Sequence, residues 1–109
     1  MILTVAIHSE GPTKPAVGSP VRVQVRDTGL ADAPAVVVAE ASGVVRAGQG
    51  DCLDTVDLTL GDVPRHATVW AHVDVDRDGR VSKGDYISTM SYPVPSGLEV
   101  RMRVAVRRV

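Results

Sequence analysis

Apolar and polar residues alternate with period two in four segments, and turn residues separate those segments at regular intervals. The apolar set is rich in valine and lacks phenylalanine. Together these observations predict an all-β fold, an antiparallel two-sheet β-sandwich of about seven strands in the immunoglobulin or transthyretin manner. Hydrophobic residues make up 44% of the chain and aromatics only 3%, so the core must be built from Val, Leu, Ile and Ala. β-Branched side chains fit a pleated surface, which favours strands. At 109 residues the sequence reads as one domain over residues 1–109, with a core of modest size.

The first strand is expected at Leu3–His8, whose short apolar run lacks a positively charged leader. The second, Val21–Asp27, sets Val21, Val23 and Val25 against Arg22, Gln24 and Arg26. A Val/Ala run at Val36–Val45 is the third, and Leu53–Leu60 is the fourth, with Val56, Leu58 and Leu60 opposed by Asp57 and Thr59. The fifth, Ala67–Val73, places Val69, Ala71 and Val73 opposite Trp70 and His72. Tyr86–Tyr92 is the sixth, stopped by Pro93, and Leu98–Val106 is the last, with Arg101 and Arg103 on its polar side. Period two with one polar face predicts antiparallel pairing with one side in water. Gly11-Pro12, Gly18-Ser19-Pro20, Gly48-Gln49-Gly50, Gly61-Asp62-Val63-Pro64 and Pro95-Ser96-Gly97 supply the turns. Leu30-Ala31-Asp32-Ala33 predicts one short helical turn before Pro34.

The most chemically specific stretch is Asp74-Val75-Asp76-Arg77-Asp78-Gly79-Arg80-Val81-Ser82-Lys83-Gly84-Asp85. It follows the twelve-residue calcium-loop pattern. Carboxylates of Asp74, Asp76 and Asp78 occupy loop positions 1, 3 and 5, and Gly79 permits the sharp turn at position 6. Arg80 offers its carbonyl at position 7, Ser82 a hydroxyl or a water at position 9, and Asp85 closes the sphere at position 12. Six oxygen donors within twelve residues suit a hard cation taking six to eight oxygens, so the expected cofactor is one Ca²⁺ rather than Mg²⁺. Position 12 usually holds Glu. Asp is one methylene shorter, which predicts less secure bidentate closure and weaker affinity. The flanks alternate as strands and not as helices, so the loop reads as a clamp between two strands, without the helices a calcium switch would move. The plain alternative is an uncoordinated acidic hairpin, with Arg77, Arg80 and Lys83 offsetting its charge.

The segment from Val21 through Asp27-Thr28-Gly29-Leu30-Ala31-Asp32-Ala33-Pro34 ends a strand in a D-x-x-L-A-D-A-P turn, and a Val/Ala strand from Val36 to Glu40 follows. This resembles a signature of the YbaY/YscW-like family of bacterial β-sandwich lipoproteins, some of which are type III secretion pilotins. The resemblance covers the N-terminal third. It implies a sandwich without an enzymatic site and a pilotin- or chaperone-like interaction with a protein or peptide. The lipobox of such lipoproteins is missing here, and the 74–85 loop is not carried over from the family.

Other chemistry is sparse. No nucleophile elbow, phosphate-cradling glycine loop or Cys/His metal framework is present, which argues against an enzyme. Cys52 is the single cysteine and is expected to be a neutral, buried thiol. His8, His66 and His72 are scattered and read as ordinary strand or surface histidines. His72 stands apart, because two residues before Asp74 it shares a strand face with the loop and can orient a liganding carboxylate. Asp54 and Asp57 have opposite parity and are expected to be solvated. Arg22, Arg26, Arg101, Arg103 and Arg107 form charged outer faces that discourage edge pairing, with an anionic partner as the sharper alternative. A net charge of −1 and the lack of interleaved aromatics exclude a nucleic-acid platform. No apolar run reaches the length of a membrane span.

The expected function is therefore a non-enzymatic, Ca²⁺-stabilised protein-interaction module. The competing reading is a calcium-dependent adhesion or carbohydrate-binding module, for which Trp70, Tyr86 and Tyr92 are the available stacking rings. The N-terminus carries no positively charged leader, so the sequence as written reads as cytoplasmic. A trimmed periplasmic or cell-surface chain would begin the same way.

Overall fold

The computed structural model describes residues 1–29, 36–48 and 50–109. Eight strands follow in chain order: β1 Ile2–Ser9, β2 Pro20–Asp27, β3 Val36–Val44, β4 Cys52–Thr59, β5 Ala67–Val73, β6 Tyr86–Ser88, β7 Tyr92–Pro93 and β8 Glu99–Arg108. The all-β class expected from the alternation is what forms. The helical turn expected at Leu30–Ala33, and most of the D-x-x-L-A-D-A-P turn, lie outside the described residues.

The strands make one hydrogen-bonded sheet in the order β3-β2-β5-β6-β8-β1-β4, with β7 also on β5. This differs from the expected division into two sheets. The ends of the path, β3 and β4, are consecutive in the chain and come together beside the turn that joins them. There Arg46 N–H donates to the Leu53 carbonyl at 2.9 Å and Val44 N–H to Asp54 Oδ2 at 3.1 Å. The sheet thus curls into a nearly closed barrel. Curling brings every strand's inward face onto one core, which two separate sheets would otherwise have to build between them.

A second difference is direction. β1 and β8 run parallel from Ile2↔Glu99 to Ser9↔Val106, while every other pair is antiparallel. Side chains alternate with period two in either direction, so the pattern alone does not separate them. The third difference is the sixth segment, which splits in two. Ser88 Oγ accepts the buried Ala71 N–H at 3.0 Å, and Tyr92 Oη accepts the Ala105 N–H at 3.1 Å. Side chains thereby satisfy donors that an unbroken ladder would have used. β6 consequently bridges β5 to β8 only at its end near the loop.

Inward residues follow the expected parity. Leu3, Val5 and Ile7 on β1, and Val21, Val23 and Val25 on β2, are fully buried together with Val104 and Val106 of β8. Burying each such side chain contributes roughly 1.5–3 kcal/mol relative to exposure. Among the described residues no helix is long and apolar enough to cross a membrane.

Candidate metal centre

The loop between β5 and β6 carries residues 74 to 85. Three left-handed positions fold it back on itself: Arg77 at φ 59°, Gly79 at φ 77° and Gly84 at φ 97°. Glycine adopts that region freely, whereas Arg77 is strained there and its guanidinium donates to the Gly18 carbonyl at 3.2 Å. Gly79 N–H donates to Asp74 Oδ2 at 2.8 Å, and Arg80 N–H to Asp78 Oδ1 at 2.9 Å. Folded this way, the loop brings carboxylate oxygens of Asp74, Asp76, Asp78 and Asp85 within 4.8 Å of one another. The four carboxylates proposed from spacing are therefore brought together. Ser82 joins them, its hydroxyl donating to Asp76 Oδ2 at 2.6 Å and so holding the Asp76 carboxyl below the ordinary carboxylate range.

Two features bear on whether a cation fits. Asp74 Oδ1 is buried, and among the described residues it has no hydrogen-bond partner. A buried polar group without a partner costs about 1–3 kcal/mol, and a charged carboxylate more, a cost that a cation among these carboxylates would offset. Asp85, in contrast, is committed. It is fully buried; Oδ1 accepts the Val75 N–H at 2.9 Å, and Oδ2 accepts the Ser82 N–H at 3.1 Å and the ring of His72 at 2.8 Å. Burial pushes the Asp85 carboxyl up, but the hydrogen bonds from His72, Ser82 and Val75 outweigh it and hold it below the ordinary value. Oδ1 keeps room for one further interaction, so single-oxygen closure is compatible with this geometry. Bidentate closure would have to displace His72 or Ser82.

His72 is buried against the loop, as its strand position allows. Its Nδ1 accepts from Arg22 at 3.3 Å, so Nε2 carries the proton that Asp85 accepts. Arg22 and Arg26 lie over Trp70, at 5.6 and 3.9 Å from the ring centroid, and Arg26 donates to Gln24. These arginines are tied into an outer-face network and are not merely solvated. His8 lies beside Arg103, and the His66 carbonyl accepts from Thr28; neither joins the carboxylates.

The rings available for sugar stacking are engaged. Tyr86 is buried with its hydroxyl on Thr13, Tyr92 uses its hydroxyl in the sheet, and Arg26 covers Trp70. Cys52 is half-buried, its thiol near the Asp54 carbonyl and the Thr55 hydroxyl.

One expectation fails outright. Asp54, expected in solvent, is 5% exposed at the meeting of β3 and β4. Its Oδ2 accepts the Val44 N–H; its Oδ1 accepts the Thr55 N–H at 2.9 Å and pairs with Arg46 Nε at 2.8 Å. A Cβ at Gly43 would collide with Asp54 Oδ2. The opposite parity of Asp54 and Asp57 was the available signal, since it sends one inward; Asp57 stays outside and accepts from Thr4.

No protein-family model matches the chain, and no curated protein matches it. YbaY/YscW-like membership, expected from the N-terminal third, thus gains no family match. A solved structure described as an alternative pilotin from the type II secretion system of Vibrio cholerae is similar over 100% of this chain and 96% of its own length. The TM-score is 0.73 and the identity 20%. The likeness is one of fold, and a pilotin-like fold agrees with what the sequence resemblance implied.

Proposed function

We propose that this chain is a non-enzymatic protein-interaction domain of the pilotin type, clamped by one calcium ion in the 74–85 loop. The observation that carries the interaction reading is the end-to-end likeness of fold to a type II secretion pilotin. The partner on this reading is a subunit of a secretion apparatus. The test is affinity capture by the tagged chain from its native cells, followed by mass spectrometry. Enrichment of a secretion-apparatus subunit supports the reading; recovery of none, with the bait folded, contradicts it.

The calcium part rests on the convergence of four carboxylates and on the partnerless Asp74 Oδ1. Asp74, Asp76, Asp78 and Asp85, the Arg80 carbonyl and Ser82 would hold the ion, which would neutralise like charges and fix β5 to β6. With Asp85 limited to one oxygen, the site belongs to the weaker class of calcium loops, filled at about 10⁻⁴–10⁻³ M. Nothing about the rings favours the carbohydrate-binding alternative, since all three are occupied by protein partners. Calorimetric titration with calcium tests this part separately, with one ion per chain as the expected result.

A further inference from the structure

We propose that the outer edge of β3, centred on Glu40, accepts an extended peptide as an added strand, and that this peptide carries a lysine or arginine opposite Glu40. The inference rests on the protein-interaction reading above and names where the partner binds and by what chemistry. β3 is one end of the strand path, paired on one side to β2. Val44 N–H points away from β2, towards Asp54. Backbone groups alternate sides along a strand, so the N–H and C=O of Ser42 and Glu40 also point to the side away from β2. No ladder joins β3 to β4 among the described residues. β4 lies against the C-terminal end of β3, where Asp54 Oδ2 takes the Val44 N–H and a Cβ at Gly43 would meet Asp54 and Val56. The open part of the edge is the stretch before it, around Glu40.

Natural edges are commonly guarded by charges, Pro or bulges. Val36–Val44 has no Lys, Arg or Pro, and its devices are a bulge near its start, between Ala39 and Val37, and the single charge of Glu40. It is exposed at Val36, Val37 and Val38 on both faces, a surface suited to strand addition. Glu40 is the strand's only charge. Gln24 donates to its Oε2 at 2.9 Å, yet Glu40 belongs to none of the ion pairs among the described residues.

That charge selects the occupant. Glu40 is the central residue of β3, so a second copy pairing symmetrically would set two carboxylates opposite each other, which is destabilising. A strand with a cation at that place gains where a second copy loses.

The test is an amide-shift titration of the ¹⁵N-labelled chain with two nonapeptides. One has the Val36–Val44 sequence, and the other carries Glu40→Lys. The Lys peptide should give saturable shifts centred on the Glu40 and Ser42 amides and bind about five-fold tighter than its parent. In the chain variant Glu40→Lys, exposed and so expected to fold, the preference should reverse. Equal affinities, no reversal, shifts centred on other strands, or no saturable shift with either peptide would each overturn the proposal. If it is overturned while affinity capture of a secretion subunit persists, only the location of binding fails, not the pilotin-type reading.

Discussion

Two buried aspartates stand beside the start of β2, Asp54 bonded to Val44 across from Pro20 and Asp85 in the loop whose Asp74 N–H donates to the Pro20 carbonyl, and they differ in what they leave unfinished. Asp54 sits where β3 and β4 meet, and its oxygens are matched to two backbone N–H groups and the Arg46 guanidinium. The protein supplies all the positive charge that carboxylate needs. Asp85 is buried as deeply and is held by Val75, Ser82 and His72. Around it stand three more carboxylates, one of them with a buried oxygen that meets no partner among the described residues. The first aspartate completes a fold by itself. The second is the floor of the site we propose for a cation.

The largest expected effect separates the two. Asp54→Ala strands the N–H groups of Val44 and Thr55 and should cost about 2–4 kcal/mol of stability. That loss should be the same in calcium and in EDTA, as read by urea unfolding in both buffers. A loss that depended on calcium would mean the two aspartates do not act independently.

Next come the loop carboxylates. Asp74→Ala, Asp76→Ala and Asp78→Ala should each abolish most of the calcium-induced stabilisation, while Ser82→Ala should remove less, because position 9 often works through water. His72→Gln should bind calcium about ten-fold more weakly, since it disturbs the group that orients Asp85. Calorimetry on the folded variants checks all five. Wild-type binding by Asp78→Ala would show that the ligand register is wrong.

A smaller effect follows from acid. The Asp85 carboxyl titrates below its ordinary value of 3.8 in the folded chain. A lowered folded value means that its contribution is fully present above the unfolded value and is lost as pH falls through the folded one. Unfolding free energy should therefore begin to drop below about pH 4 in the wild type, and more shallowly in Asp85→Asn. Equal slopes in the two proteins would contradict the role given to that carboxylate.

How much of this was legible in the sequence depends on the range of each interaction. Side-chain alternation is local, so Val21 to Val25 and Val69 to Val73 announced their strands and their inward faces. Pairing direction is not local, and nothing in Glu99–Arg108 marks it as parallel to β1. The break after Ser88 was invisible because a serine in a strand differs from a ladder-ending serine only by what lies across from it, here the Ala71 N–H. In the loop, the spacing of Asp74, Asp76 and Asp78 was enough to bring them together. The commitment of Asp85 was half-legible: His72 had the right parity, but its burial needed β2 and Arg22 beside it. Asp54 depended on a missing Cβ at Gly43, eleven residues back on the neighbouring strand. That relation emerges only when the barrel curls shut.

The claim that the loop is an unfinished cation site is tested most directly by thermal melts of the wild-type chain in EDTA and in calcium. At free calcium about a hundredfold above the dissociation constant, stabilisation should reach about 2.7 kcal/mol. For a chain of this size that corresponds to a rise in Tm of roughly 10 °C or more. Melts that superimpose in the two buffers would contradict the claim, and would make the acidic loop a hairpin that needs no metal.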